Sequence, residues 1–269
     1  MQNTLHKQSW LRMNTLTGTG KVLRSTGVPS ERSGFLGSCF AFRQPTHFLT
    51  AAHCVSGFSA NEISVQAYHR INATPVSKIH EHPDADLAIL ELAAAPDEFT
   101  QPFWSGGGGP ACLGLNFIAY GFPESIFDEK SRTPTPRLFK GHFQRTFWYP
   151  SPLGFKYEAG ELSIPCPAGL SGGPIFRQRA HQVVLGVVTE NLESMKVLES
   201  EEEKHHDGQV ERNVYRSVIN YGVCVLLNDP VMTWLDAHVP REPRYFSAKP
   251  LKGSTIAVES DDDEYYALL

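Results

Sequence analysis

A serine set among glycines is the clearest candidate for chemistry in this chain of 269 residues. Ser171 lies in the run PAGLSGGP, residues 167–174. A serine hydroxyl is a poor nucleophile unless a base takes its proton and backbone N–H groups stabilise the charge that develops on the substrate oxygen. Because glycine permits tight turns that expose such N–H groups, the run favours a nucleophilic serine. An ordinary tight turn that contains a serine is the alternative.

Two further stretches hold the groups that such a serine would need. The run TAAHC, residues 50–54, places His53 after an apolar segment, and the run HPDADLAIL, residues 82–90, places Asp86 directly before an apolar strand. Asp84 is a second candidate for the carboxylate. Acyl transfer by serine needs a base with a pKa near neutral and a carboxylate that fixes the tautomer of that base. The chain order His, Asp, Ser is one of those in which a catalytic triad occurs.

The motifs TAAHC, DLAIL and GLSGGP, in this order, resemble the three signature blocks of trypsin-like serine peptidases, especially the bacterial members. The resemblance runs from about Gly34 to about His238. It implies an all-β, chymotrypsin-like fold of two six-stranded antiparallel β-barrels followed by a short C-terminal helix. It also implies a serine endopeptidase that hydrolyses peptide bonds through an acyl-enzyme and needs no cofactor.

The same resemblance assigns roles to individual residues. Ser171 is then the nucleophile, His53 the general base and afterwards the acid, and Asp86 the carboxylate that orients the histidine. Asp86 is preferred to Asp84 because the aspartate of the family lies where the loop meets the strand. The oxyanion hole falls to the backbone N–H groups of Gly169 and Ser171.

Departures from the family pattern bear on activation and specificity. Leu170 stands where secreted zymogens place an aspartate that pairs with a freshly cut N-terminus, so the resemblance argues against activation by N-terminal cleavage. Pro165 stands where members that cut after Lys or Arg place an acid. The predicted substrate pocket therefore has an uncharged floor and is formed by Pro165, Cys166, Thr189 and Glu190. We expect an uncharged or apolar residue on the N-terminal side of the cut bond (P1).

Short apolar runs separated by turn residues predict antiparallel strands along most of the chain. Four consecutive glycines before Pro110 are typical of a linker, and Asp229 is the expected N-cap of a helix over Val231–His238. The stretch Asn191–Tyr221 is longer than the family minimum and predicts a solvated surface insertion or a mobile acidic flap beside the cleft. The predicted domains are an N-terminal arm (1–30), a first barrel (31–105), a linker (106–111), a second barrel with the helix (112–239) and an acidic tail (240–269).

The bulk composition excludes several classes of partner. A net charge of -5 gives no basic balance for nucleic acid or an anionic membrane surface. No apolar run approaches the roughly 20 residues of a spanning helix, and residues 1–20 lack the apolar core of a secretory signal, so a cytoplasmic location is expected. His80 and His82 are expected to be exposed loop residues, and residues 205–207 (His-His-Asp) a solvated loop rather than a metal site.

Five cysteines are an odd number for a disulfide framework. The resemblance implies that Cys39 and Cys54 lie where family members often form a bridge, and whether they do so here is left open. The expected partners are a protein or peptide substrate and possibly a regulatory protein, which the acidic tail could help to bind. A catalytically idle member that acts as a binding or scaffold module is the alternative function.

Overall fold

The computed structural model of the protein describes residues 18–25, 34–68, 72–96, 102–105, 113–124, 127–128, 133–178, 180–204 and 210–241. Most of these residues belong to β-strands, and a short helix, α1 (Asp229–His238), follows the last strand. The predicted all-β class with a short C-terminal helix is therefore confirmed. Residues 242–269 of the tail, the glycine linker, Cys112 and residues 205–207 lie outside the described residues.

A closed barrel of six antiparallel strands forms the N-terminal half, in the spatial order β1-β2-β3-β6-β5-β4. The strands are β1 (Thr19–Arg24), β2 (Phe35–Phe42), β3 (Gln44–Thr50), β4 (Ile63–Ala67), β5 (Thr74–Glu81) and β6 (Ala88–Leu92). Apolar side chains from each strand fill the interior because successive residues of a strand point to opposite faces. Val22, Phe48, Val65 and Leu90 are fully buried there.

Strand β1 lies within residues 1–30, for which the sequence predicts an arm. The strand pairs with both β2 and β4, and so it closes the barrel. Its sequence, TGKVLR, contains only two large apolar residues, Val22 and Leu23. The polar Lys21 that precedes them is also buried. Lys21 lies 5.1 Å from the centre of the Phe122 ring. A search for apolar alternation misses this strand for that reason.

The C-terminal half is built on a seven-stranded sheet in the order β13-β8-β11-β12-β15-β14-β7, with an additional pairing between β13 and β14. The strands are β7 (Trp104–Ser105), β8 (Asn116–Gly121), β11 (Arg137–Pro150), β12 (Lys156–Leu162), β13 (Pro174–Arg177), β14 (Ala180–Lys204) and β15 (Val210–Leu226). Two short strands, β9 (Phe127–Asp128) and β10 (Thr133–Pro134), pair separately. Phe117, Phe143 and Leu162 are fully buried between the strands of the large sheet.

The predicted insertion is a long antiparallel ribbon formed by the outer parts of β14 and β15. Pairing continues from Asn191 opposite Gly222 to Lys204 opposite Val210, with an irregularity after Val197. The segment is therefore regular strand over the described residues rather than an irregular loop. It begins at the strand that carries Thr189, so the ribbon starts beside the candidate site.

Helix α1 connects the second half of the molecule to the first. The rings of His82 and Trp234 lie 4.9 Å apart, as do those of His80 and His238. The predicted N-cap is wrong by one residue: the side chain of Asn228, not Asp229, accepts a hydrogen bond from the N–H of Val231 (3.3 Å). The helix begins one residue before Pro230, which occupies the first turn, where its missing N–H costs nothing.

No helix in the described part of the chain is long and apolar enough to span a membrane. Within the described ranges, no group of three or more His, Cys, Asp or Glu side chains could hold a metal ion.

Candidate active site

His53 and Asp86 meet at one end of the first barrel. His53 lies in a single 3₁₀ turn (Ala52–Cys54) directly after β3, and Asp86 lies in the loop before β6. The two oxygens of Asp86 bind the same residue: Oδ2 lies 2.7 Å from His53 Nδ1, and Oδ1 accepts the His53 backbone N–H at 2.9 Å. The carboxylate has no exposed surface. This arrangement leaves the proton on Nδ1 and turns Nε2 into an acceptor when the ring is neutral.

The structure therefore brings Asp86, and not Asp84, to the histidine. Asp84 is exposed, and its carbonyl accepts a hydrogen bond from the N–H of Lys156 at 2.8 Å. His82 orders the loop between them, because its Nδ1 accepts the N–H groups of Asp84 (3.1 Å) and Ala85 (2.9 Å). His82 and His80 are both half-buried rather than exposed, and His80 lies in strand β5, so the prediction of exposed loop histidines is wrong for both residues.

The Ser171 turn depends on two glycines in the left-handed region. Gly169 has a φ of +87°, and a Cβ there would lie 2.6 Å from the carbonyl oxygen of Phe122. Gly172 has a φ of +84°, and its Cβ would lie 2.0 Å from the carbonyl oxygen of Ser38. Ser38 of the first barrel also holds the turn directly: its N–H donates to the carbonyl of Ser171 (2.8 Å), and its hydroxyl donates to the carbonyl of Gly169 (2.7 Å).

Two N–H groups of this turn remain available to a ligand. Among the described residues, no acceptor takes the N–H of Gly169 or that of Ser171, whereas the intervening N–H of Leu170 donates to Pro167. These are the two groups that the sequence predicts for an oxyanion hole. An unsatisfied pair of N–H groups beside a serine is suited to binding negative charge on a substrate oxygen.

The hydroxyl of Ser171 is bonded to the backbone of Thr189 in this structure. It donates to the carbonyl oxygen of Thr189 at 2.6 Å, and no hydrogen bond joins Ser171 to His53 in the part of the chain that is described. Burial of the His53 imidazole lowers its pKa, but the hydrogen bond to Asp86, the interaction with the Cys54 side chain and, last, the charge of Asp86 outweigh burial and raise the pKa above its ordinary value. A protonated imidazole has no free acceptor for the serine hydroxyl, which is consistent with this orientation.

The four predicted pocket residues have different environments. Thr189 is buried, and its hydroxyl donates to the carbonyl of Val223 at 3.0 Å. Glu190 is half-buried and accepts the Ser151 hydroxyl at 2.7 Å, so its carboxylate is held by a neighbouring side chain. Cys166 is buried and Pro165 is exposed.

Asn191 contacts one of the predicted pocket residues, and the sequence did not single it out. Its side-chain amide makes two hydrogen bonds to the backbone of Cys166, one to the N–H (2.6 Å) and one to the carbonyl (2.7 Å). Nothing in the local sequence distinguishes this asparagine from a polar residue at the start of a surface insertion.

Four buried cysteines, Cys39, Cys54, Cys166 and Cys224, are free thiols in the structure. Cys54 lies beside the serine turn, with its sulfur 3.8 Å from the carbonyl oxygen of Ser171. Burial and the neighbouring Cys54 raise the pKa of the Cys39 thiol, so this thiol is a small apolar residue of the barrel core.

Comparison with known proteins connects this geometry to a family and a fold. Residues 37–187 match the family model described as the trypsin-like peptidase domain. Of the curated proteins, none matches the chain.

Three solved proteases share the fold of the chain. The active form of the Rv3671c protease from M. tuberculosis superposes with a TM-score of 0.56 at 17% identity, over 86% of this chain and 84% of that one. The MamO protease domain from Magnetospirillum magneticum, in its apo form, gives a TM-score of 0.57 at 17% identity, over 83% and 97%. The HtrA-type protease AlgW with a decapeptide gives 0.55 at 15% identity, over 84% and 66%.

Proposed function

Because the chain belongs to the trypsin-like peptidase domain family, we propose that it is a serine endopeptidase. One observation carries the proposal: the doubly held His53–Asp86 pair lies beside a serine turn whose Gly169 and Ser171 N–H groups have no described acceptor. The family and the fold support peptide hydrolysis in general. The roles of the individual residues are our inference from their geometry.

The proposed reaction begins with a change of rotamer. The Ser171 hydroxyl leaves the Thr189 carbonyl and donates instead to neutral His53 Nε2. As the serine oxygen attacks the substrate carbonyl, its proton passes to Nε2, and Asp86 stabilises the imidazolium. The negative charge on the substrate oxygen lies against the N–H groups of Gly169 and Ser171. His53 then protonates the leaving amine. In the second half of the reaction, His53 takes a proton from the water that attacks the acyl-enzyme and returns a proton to Ser171 as the acyl group leaves.

The pairing of the second half supports the proposal of a second barrel. Six strands, β13, β8, β11, β12, β15 and β14, are neighbours in this order, and the additional pairing of β13 with β14 joins the two ends of the series. Strand β7 adds to β14 in parallel at Val183 and Val184. We therefore propose an architecture of two six-stranded barrels, of which the second has β7 as an additional edge strand.

The pocket environment supports a substrate with an uncharged P1 residue. Pro165 supplies no charge, and the Glu190 carboxylate already accepts the Ser151 hydroxyl. A cation buried beside Thr189 and Cys166 would be penalised by desolvation unless the Glu190 carboxylate turned from Ser151 toward it. The substrate of the proposed enzyme is therefore a protein or peptide cut after an uncharged residue.

A catalytically idle binding module is the second candidate, and the orientation of the Ser171 hydroxyl toward Thr189 favours it. A fluorophosphonate probe separates the two functions because it labels only a serine that a neighbouring base activates. We expect labelling of the wild-type protein at Ser171 and none of Ser171→Ala. Peptide turnover should fall by about 10⁶-fold in the same variant.

Ser163→Ala is a matched control, because this serine lies in the same half of the molecule and its hydroxyl, among the described residues, binds only the backbone N–H of His142 (2.9 Å). It should keep both labelling and turnover. Absence of labelling in a folded wild-type protein at alkaline pH, or turnover that survives Ser171→Ala, would reject the proposed mechanism.

A further inference from the structure

The outer part of β14 has an edge that no other strand covers in the described part of the chain. At Gly186 and Val187, β14 is flanked on both sides, by β13 on one edge and by β15 on the other. Further out, from Glu193 to Lys204, β15 is its only partner among the described strands. An uncovered strand edge is a row of backbone donors and acceptors to which another chain can add as a strand.

The pairing at the base of the ribbon determines which backbone groups face this edge. The N–H of Gly222 donates to the Ile164 carbonyl at 2.7 Å, so it does not bind its β14 partner, Asn191. In antiparallel sheets, pairs that exchange hydrogen bonds alternate with pairs whose N–H and carbonyl groups point outward. Asn191 and Gly222 form an outward pair, and the register then continues without a shift as far as Val197. Met195 and Val197 therefore turn their N–H and carbonyl groups to the open edge.

Met195 and Val197 also expose apolar side chains. Met195 lies opposite Val218, and Val197 follows two residues later on the same face, because side chains alternate along a strand. All three side chains are exposed. Neither strand of the ribbon contains proline, which native proteins use on edges to prevent pairing with another chain. The ribbon thus has both the backbone groups and the apolar surface that an added strand would cover.

Charge distinguishes the two edges of the ribbon and indicates the occupant. Residues 191–204 of β14 include five glutamates and two lysines, whereas residues 210–221 of β15 include one glutamate and two arginines. The β14 strand is therefore acidic and attracts a segment of opposite charge. A second copy of β14 would bring like charges together, and so would the tail of this chain, with its four consecutive acids at 261–264.

We propose that the open edge of β14, over residues 193–203, binds an extended basic segment of a partner protein, which adds to the ribbon as a further strand. The backbone of the segment pairs with Met195 and Val197, and its apolar side chains cover the exposed face. Its lysines or arginines lie against the acidic strand. These residues follow the predicted pocket residues along β14, and the proposal does not depend on the serine mechanism.

The experiment measures the binding of a fluorescein-labelled peptide of alternating lysine and valine by fluorescence anisotropy. The reference protein is full-length Ser171→Ala, so that the proposed mechanism cannot cut the peptide. Two peptides of the same length are controls: one alternates glutamate and valine, and the other alternates lysine and valine but has a backbone N-methylated at alternate residues. We expect the lysine–valine peptide to bind at least about tenfold more tightly than either control, because they lack the charge and the backbone donors respectively.

Met195→Pro and Val218→Pro, each made in the Ser171→Ala protein, are a matched pair of variants. The two residues lie opposite each other, and each proline removes an N–H that points out of the ribbon, on the β14 edge and on the β15 edge respectively. We expect Met195→Pro to weaken binding by at least about tenfold and Val218→Pro by less than about twofold. Replacing residues 194–219 by Asn-Gly removes the edge and should abolish binding even if Met195→Pro does not fold.

Absence of binding by the lysine–valine peptide, equal binding of the N-methylated peptide, or binding that survives removal of the ribbon would each overturn the proposal. Loss of binding in Val218→Pro alone would assign the opposite edge and overturn it as well. If the protein without peptide sediments as a dimer that Met195→Pro abolishes, the occupant is a second copy and the basic partner is wrong. None of these measurements uses hydrolysis, so failure of the proposed enzyme would leave their outcome unchanged.

Discussion

At the scale of single residues, the proton on His53 determines what the site can do. The side chain is bound to Asp86 Oδ2 at 2.7 Å, and the pKa of His53 lies above its ordinary value because the hydrogen bond to Asp86, together with Cys54 and the charge of Asp86, outweighs the opposing effect of burial. Only the neutral imidazole accepts the proton of Ser171. This neutral form becomes populated as the pH rises through the pKa of His53. We therefore expect activity to be higher at alkaline pH.

We therefore expect kcat/KM for a small peptide to rise with pH through an apparent pKa above about 6.5, the ordinary value for histidine. Asp86→Asn removes the charge that raises the pKa and should lower both the apparent pKa and kcat, the latter by about 10⁴-fold. The exposed Asp84→Asn is the control and should change neither. A wild-type profile that is already flat at pH 6 would show that His53 is not the raised base.

At the scale of elements, the ribbon of β14 and β15 contributes little burial to the fold. Several of its apolar side chains are exposed. The exposed fraction is 59% for Met195, 63% for Leu198 and 52% for Ile219. Stabilisation by apolar side chains depends on the area removed from water, which is small here. Leu192, at the base of the ribbon, packs against the main core instead.

Replacing residues 194–219 by Asn-Gly should leave the barrels stable. The change joins Glu193 to Asn220, which already pair, and Asn-Gly suits a two-residue hairpin turn. We expect a melting temperature within about 3 °C of the wild type and retained turnover of short peptides. Leu192→Ala is the contrasting variant and should lower the melting temperature. If the shortened protein melts much earlier, the ribbon makes stabilising contacts that its exposure does not reveal.

At the scale of the whole molecule, helix α1 packs against the first barrel through ring contacts that involve histidines. His80 and His82 of the first barrel contact His238 and Trp234 of the helix. Burial lowers the pKa of His80, with a further decrease from Lys78. Burial also lowers the pKa of His82, against the opposing charge of Asp84. The folded protein therefore binds fewer protons at these sites than the unfolded chain does.

The sign of the pH dependence follows from these lowered pKa values. The stabilisation is present above the unfolded pKa of about 6.5 and is lost as the pH falls toward the folded values. We expect His80 and His82 to decrease the melting temperature between about pH 7 and pH 5, against the opposite contribution of His53, whose pKa is raised. His82→Asn keeps an acceptor for the loop N–H groups but cannot titrate, so it should reduce this slope, whereas the exposed His142→Asn should not. An equal slope in all three proteins would contradict a role for His82.

The sequence predicts those parts of the molecule that depend on local patterns. Hydrophobic alternation and turn residues identify most strands, and the three motif blocks identify the family, which the comparison confirms. The motifs also lead to the pair of His53 and Asp86 that the structure brings together. The assignment of catalytic roles stays a prediction.

The features that the sequence misses depend on contacts between distant segments. Strand β1 is held by pairing on both edges rather than by its own apolar content. The bond between Asn191 and Cys166 spans 25 residues, and an asparagine before an acidic insertion carries no sign of it. The N-cap shifts by one residue because Asn228 and Asp229 are equally good caps in sequence, and it is Asn228 that has the extended backbone of an N-cap.

The anchoring of the serine turn by Ser38 has a consequence for biosynthesis. The histidine and the aspartate belong to the first half of the chain, the serine to the second, and the carbonyls of the serine turn are held by a residue of the first. No emerging fragment that ends before the serine turn contains the three groups together. During synthesis on a ribosome, the proposed catalytic centre can therefore assemble only after the chain has been made past the serine turn.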